Sequence, residues 1–321
     1  MPLDPRIKAL VVLGNRVTNP GADQLMPLQR QADSRVGRLF ARVVMRPGRE
    51  VASITHRMIP VEGGHILVRL YRPHQGDLPL HVFFHGGGWC TGTLDQRDVR
   101  CQDLAMDAGC VVASVDYRVA PENQYPTAPE DCYAAVQWLV DRASDLGVNP
   151  AAVSVGGESA GGNLAAVVCL MAKDRSGPQL AFQMLEVPAT DLTLSQPSVH
   201  ELATGYMLTL QGMQTYVRCY IEDSSRVTEP YASPLHAPDL SGLPPAWVMT
   251  CEFDPLRSDG EAYAKRLVEA GVPTEYRQLD GHIHPSFAFT RLTATARQYQ
   301  RDAAAALRAA HRAALDATAL R

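Results

Sequence analysis

Ser159 stands in Gly157-Glu158-Ser159-Ala160-Gly161, a G-x-S-x-G pattern. In a sharp strand-to-helix turn such a serine exposes its hydroxyl as a nucleophile, and small neighbours let the turn close over the strand beneath. With 24 glycines in 321 residues, chance supplies the pattern about 0.1 times in a chain of this composition, so its setting decides. AAVSVGG before it reads as a buried strand and Ala160 to Lys173 after it as a helix, which is the context the motif needs. A helix beginning at Ala160 also brings a backbone N–H and a positive dipole end to the serine. The bland alternative is a glycine-rich turn with an ordinary serine. Against it stands His85-Gly86-Gly87-Gly88-Trp89, after the strand-like PLHVFF, with a chance expectation on the order of 0.004. Consecutive glycines let backbone N–H groups approach a substrate oxygen, where a Cβ at Gly87 would intrude.

A serine nucleophile needs a base, and the base an acid to orient it. In the chain order Ser, Asp or Glu, His, Asp254 follows the strand pattern PAWVMTCEF. Asp259, in the same loop, is read instead as the cap that opens a helix running to Ala270. GHIHPSF offers two histidines, His282 and His284. Most of the other histidines, among them His81, His236 and His311, ask for no more than packing or solvent.

The elements that must position these residues alternate. Residues 1–50 read as basic and helical, with Val36, Leu39, Phe40, Val43 and Val44 at helical spacing within Gln29 to Met45. Residues 51–72 switch to strand alternation, with Gly63-Gly64 at a hairpin turn. Short apolar strands then alternate with helices predicted at Arg97 to Ala108, Ala128 to Leu146 and Asp259 to Ala270, which implies a mostly parallel sheet covered on both faces. The rhythm fails from Asp191 to Pro234, where an inserted cap is expected. The Ala-rich stretch from Asp302 to Leu320 reads as a surface helix.

Composition excludes other classes. The net charge is -4, which leaves no basic face for nucleic acid. No apolar run reaches the roughly 18 to 20 residues of a membrane span, and the N-terminus lacks the marks of a signal peptide. Seven scattered cysteines fit neither a disulfide framework nor a zinc pattern, so reduced, mostly buried thiols and a cytoplasmic setting are expected.

Taken together, HGGGW (85–89), DYRVAPE (116–122), YPTAPEDCYAAVQWL (125–139), GESAGGNLA (157–165), SPL (233–235) and DPLRSDG (254–260) resemble, in order, the hormone-sensitive-lipase family of α/β-hydrolases, bacterial esterase branch. The resemblance covers nearly all the chain from about residue 60. It implies an α/β-hydrolase fold with an eight-stranded, mostly parallel sheet, helices on both faces and a helical cap. Residues 1–50 and 191–234 would form the cap; 51–190 and 235–321 would form the catalytic domain. It also implies a serine carboxylesterase for short- to medium-chain esters, with Ser159, Asp254 and His284 catalytic and the N–H groups of Gly87, Gly88 and Ala160 holding the oxyanion. The family pattern G-x-x-H-x-F selects His284 in register with Gly281, although the phenylalanine arrives one residue late, at Phe287. No metal or cofactor is expected, since dipoles already in place manage the charge. A small-molecule ester is the expected partner, and a homodimer is left open. Tyr206, Met207 and Leu208 would either line an acyl pocket or pin the cap to the sheet. Amide or lactone hydrolysis by the same residues stays open, as does a non-catalytic ligand receptor on the same fold.

Overall fold

The computed structural model describes residues 2–17 and 41–320, the side chains of 13–17 excepted. The helix expected from Gln29 to Met45 therefore falls mostly outside the described residues; residues 41–44 are helical.

Eight strands form one sheet: β1 (Ser53–Val61), β2 (Gly64–Arg72), β3 (Leu78–Phe84), β4 (Val111–Asp116), β5 (Val148–Glu158), β6 (Phe182–Glu186), β7 (Ala246–Phe253) and β8 (Thr274–Ile283). Their order is β1-β2-β4-β3-β5-β6-β7-β8. The β1–β2 and β2–β4 pairs are antiparallel, and every later pair is parallel. The opening hairpin turns at Glu62-Gly63, with Gly63 at φ +74. That is one residue before the expected turn, because Gly64 already pairs with Val61.

The central strands read as nearly continuous apolar runs because both their faces are covered. Val82 and Phe84 of β3 join the core beneath the helices Thr127–Asp141, Ala160–Asp174 and Arg257–Glu269. Phe83, between them, points the other way, toward Leu104 and Ala105 of the helix Leu94–Ala108 and Tyr299, Ala303 and Leu307 of the helix Ala294–Ala319. The Ala-rich C-terminal helix is thus more than a surface element: its small side chains let a buried stripe, down to His311, approach the sheet closely. Under this face Arg100 and Glu186, almost wholly buried, pair at 2.6 Å, and the Tyr299 hydroxyl donates to the same carboxylate at 2.6 Å. No described helix is long and apolar enough to cross a membrane.

The break in the rhythm lies between β6 and β7. It holds the helices Pro197–Glu201 and Leu210–Tyr220 and two 3-10 turns. Its ends lie side by side: Leu192 N–H donates to Ser233 Oγ at 2.8 Å, Leu235 N–H to Thr190 O at 3.0 Å, and His236 Nε2 meets Asp191 Oδ1 at 3.0 Å. Asp259 belongs to this junction and not to its expected role. The helix begins earlier, at Arg257. The buried Asp259 carboxylate accepts from the backbone N–H groups of Thr190 and Asp191, each at 2.9 Å. At the other end of the chain, Ile7 and Val11 of the helix Pro5–Val17 cluster with Val44, Ile283 and Phe289, against the loop that carries His284.

Candidate active site

β5 ends at Glu158 and the next helix begins at Ala160, which leaves Ser159 as the whole turn, at φ 56 and ψ −120. A residue with a side chain holds such a backbone only where its surroundings over-determine it, at a cost of about 1–3 kcal/mol. Here Ser159 N–H donates to Glu186 O at 2.8 Å, and Ser159 O accepts from Asn163 N–H at 3.0 Å and Ala189 N–H at 3.3 Å. The flanking glycines have a steric reason. A Cβ on Gly161 would stand 2.0 Å from the carbonyl oxygen of Phe84, and one on Gly157 2.4 Å from the same atom. The end of β3 crosses that closely beneath the turn.

The chain leaving β3 makes the glycine loop. Gly87 has φ +134 and Gly88 φ +60, followed by Trp89 at φ 58. The Gly87 carbonyl accepts from Cys90 N–H at 3.1 Å and Thr91 N–H at 3.0 Å, which ties the loop back on itself. A Cβ on Gly87 would lie 2.2 Å from Thr91 O. The expected intrusion on the substrate oxygen is therefore preceded by a collision with the protein's own backbone. His85 is buried and stacks on Tyr117 at 4.3 Å, whose hydroxyl donates to His85 O at 2.8 Å. Burial pushes this imidazole down to about 4, so it stays neutral. Glu158 steadies the loop from below: its carboxylate accepts a long bond from Gly86 N–H, 3.4 Å, and pairs with Arg97.

The two histidines of GHIHPSF part company in the fold. His284 Nδ1 meets Asp254 Oδ2 at 2.8 Å. Asp254 is fully buried, and its Oδ1 accepts from Leu256 N–H at 2.9 Å. Burial is the largest influence on His284 and pulls its pKa down; the charge and bond of Asp254, helped by Glu158, outweigh it and leave the imidazole above its ordinary 6.5. His282 is buried elsewhere, with Nδ1 at 2.9 Å from Ser286 Oγ and Nε2 at 2.6 Å from Thr295 Oγ1, and burial holds its pKa below the ordinary value. Ser286 also accepts from Ile283 N–H at 3.0 Å. The extra residue before Phe287 thus serves to shape the loop.

Gly88, Ser159 and Ala160 share the wall of one cavity. Ala160 N–H, at the first helical position, has no partner within its helix. The rest of the wall is mainly apolar: Trp89, Leu192, Leu194, Leu208, Met213, Tyr216, Val217 and Leu256 among others. Of the three insertion residues singled out from sequence, only Leu208 is on this wall. Tyr206 stacks on Phe253 at 5.3 Å, as a pinning contact would, and Met207 is exposed at φ 71. Sequence reasoning passed over Met213, Tyr216 and Val217, whose three- and four-residue spacing on one helix was the available signal.

Residues 81–288 match the family described as the alpha/beta hydrolase fold. Carboxylic ester hydrolase LipN of Mycobacterium tuberculosis is 44% identical over 246 residues, 74% of this chain and 65% of its own length. The chain thus spans slightly less than two thirds of that relative. An arylesterase of Saccharolobus solfataricus is 37% identical over 300 residues, 93% of this chain and 95% of its own. Among solved structures, a hyperthermophilic esterase from the archaeon Pyrobaculum calidifontis superposes with a TM-score of 0.89 at 36% identity, over 96% of this chain and 99% of that one.

Proposed function

The chain belongs to the α/β-hydrolase fold family, in its hormone-sensitive-lipase-like esterase branch, and on that premise we propose that it is a serine carboxylesterase acting through an acyl-enzyme. One observation carries the reading: Gly88, Ser159 and Ala160 share one apolar cavity wall, while a histidine of raised pKa is bonded to a buried carboxylate. Ser159 Oγ attacks the ester carbonyl as His284 takes its proton. Asp254 fixes the imidazole with its proton on Nδ1, which turns Nε2 toward the work, and stabilises the imidazolium that forms. The carbonyl oxygen, now an anion, is held by the N–H groups of Gly87, Gly88 and Ala160. Collapse of that intermediate breaks the bond to the alcohol, which leaves with the proton from His284. Water then repeats the sequence on the acyl-enzyme and frees the acid.

The residues between β6 and β7 act as a cap over the cavity, whose wall holds Leu192, Leu194, Leu208 and Met213. The apolar wall suits a short to medium acyl chain, since each buried methylene is worth about 0.8 kcal/mol. The test is covalent labelling. A p-nitrophenyl phosphonate should add once per chain, on Ser159, and Ser159→Ala should fold with an unchanged melting temperature and lose nearly all ester turnover. An adduct on another serine, or full turnover in Ser159→Ala, would overturn the mechanism. Stoichiometric labelling without turnover of any ester would favour the ligand receptor, and faster cleavage of amides or lactones than of matched esters would favour those substrates.

A further inference from the structure

We propose that Tyr216 couples filling of the cavity to the glycine loop, so that acyl-chain length is read in kcat as well as in KM; this rests on the esterase reading above. Tyr216 belongs to two structures at once. It lines the cavity beside Met213 and Val217 of its own helix. Its ring also lies directly on the backbone of Gly88: a Cβ built there would stand 2.4 Å from ring Cγ and 2.5 and 2.7 Å from the two Cδ atoms. Glycine at 88 therefore does more than permit φ +60; it makes room for an aromatic face of the insertion. The same helix holds the same loop at two further points. Cys90 Sγ lies 3.8 Å from Tyr216 O, and the rings of Trp89 and Tyr220 stack at 4.7 Å, 4° from parallel.

The loop needs such support. Trp89 follows Gly88 at φ 58, a backbone that persists only where neighbours enforce it, and the N–H groups of the loop must be aimed before charge develops on the substrate. An acyl chain that reaches Tyr216 braces the ring, and the ring braces Gly88; an acetyl group leaves the ring without that support. Binding that is equal in ground and transition states would lower KM by about fourfold per methylene and leave kcat alone. Contact through Tyr216 moves part of that gain into the chemical step.

The wild type is tested with p-nitrophenyl n-alkylphosphonates from methyl to hexyl, by saturable inactivation, each rate normalised to the reagent's reaction with hydroxide. The limiting rate constant should rise about tenfold along the series, a fraction of the 10²–10³ lost when a whole donor is removed. A limiting rate independent of chain length, with only the half-saturation concentration falling, overturns the coupling. Mass analysis of the adduct separates this failure from that of the esterase reading, in which Ser159 would stay unlabelled. Tyr216→Phe should keep the rise, because the ring face and not the hydroxyl meets Gly88, and Tyr216→Leu should flatten it. A rise that survives in Tyr216→Leu, or vanishes in Tyr216→Phe, rejects the proposal. If Tyr216→Leu does not fold, the wild-type and Tyr216→Phe series still decide it.

Discussion

Replacing Asp254 by Asn should move the acid limb of the pH–rate profile downward while removing most of the turnover. In the wild type, burial depresses His284 and the Asp254 carboxylate more than restores it, so its pKa lies above 6.5. Ester turnover needs the neutral imidazole, so kcat/KM should fall as pH drops through that raised value. The Asn variant keeps the burial and loses the charge. Its limb should therefore lie at lower pH than that of the wild type. Nitrogen and oxygen are 2.8 Å apart; at an effective dielectric of about 20 the attraction between imidazolium and carboxylate is about 6 kcal/mol. Loss of the carboxylate from such a triad costs about 10⁴ in kcat, or about 5.5 kcal/mol, chiefly because the imidazole is no longer held in the working tautomer. Stability carries the opposite sign. A raised folded pKa contributes stability that is complete below about 6.5 and is lost as pH rises through the folded value. The wild-type melting temperature should therefore decline across that window, and the Asn variant should lose this component of the decline. The assay is p-nitrophenyl acetate hydrolysis from pH 5 to 9, read at the isosbestic wavelength, with melts in the same buffers. An acid limb that stays in place in Asp254→Asn, or that moves instead in His282→Ala, would refute the assignment.

Gly161→Ala should lower stability by at least about 3 kcal/mol by denaturant titration, because the new Cβ meets the Phe84 carbonyl at 2.0 Å and neither backbone can yield; a shift under 1 kcal/mol would mean that the turn is looser than described. Arg100→Ala should cost about 3–5 kcal/mol by leaving the Glu186 charge buried and unpaired, whereas Arg100→Met with Glu186→Leu should recover much of it; equal losses in the single and double variants would contradict this. Leu208→Ala should shift the acyl optimum toward longer chains, with each added methylene worth about 0.8 kcal/mol. Tyr206→Ala should leave that optimum in place and lower the melting temperature, through loss of the Phe253 stack, worth about 0.5–1.5 kcal/mol beyond the area buried.

The elbow and the glycine loop were legible because their demands are local: Gly157 and Gly161 answer to one crossing strand, and chain order supplied Asp254. The choice between His282 and His284 was of another kind. Two residues apart, His282 near the end of β8 and His284 just beyond it, they are told apart by what lies opposite, Asp254 for His284 and Ser286 with Thr295 for His282. The family register named the right partner of Asp254, but periodicity could not have. Asp259 was misread for a related reason. Its carboxylate serves backbone groups 69 and 68 residues away, so no local rule of capping could reveal it. In the insertion, apolar character was visible in Tyr206, Met207 and Leu208, but which of them faces the cavity depends on how the helix Leu210–Tyr220 docks on Trp89, and that is a tertiary fact.

The paired ends of the insertion bear on how a chain of this kind can be rewritten. Thr190 with Leu235, and Leu192 with Ser233, are already bonded across the junction, and Asp259 locks it from beneath. The segment is thereby a plug in a fixed socket. For a loop whose ends are held, doubling the length adds only about 0.6 kcal/mol of closure cost. Residues between Ser195 and Thr228 can then change in length and chemistry, provided that the contacts they make with the rest of the molecule are kept. Those contacts are an aromatic pair on Gly88 and Trp89, a ring on Phe253, and a hydroxyl like that of Ser198, which donates to Pro255 O at 2.6 Å and accepts from Ser258 N–H at 2.9 Å beside Asp254. On the proposed reading, substrate range in such a molecule would be a property of an interchangeable part.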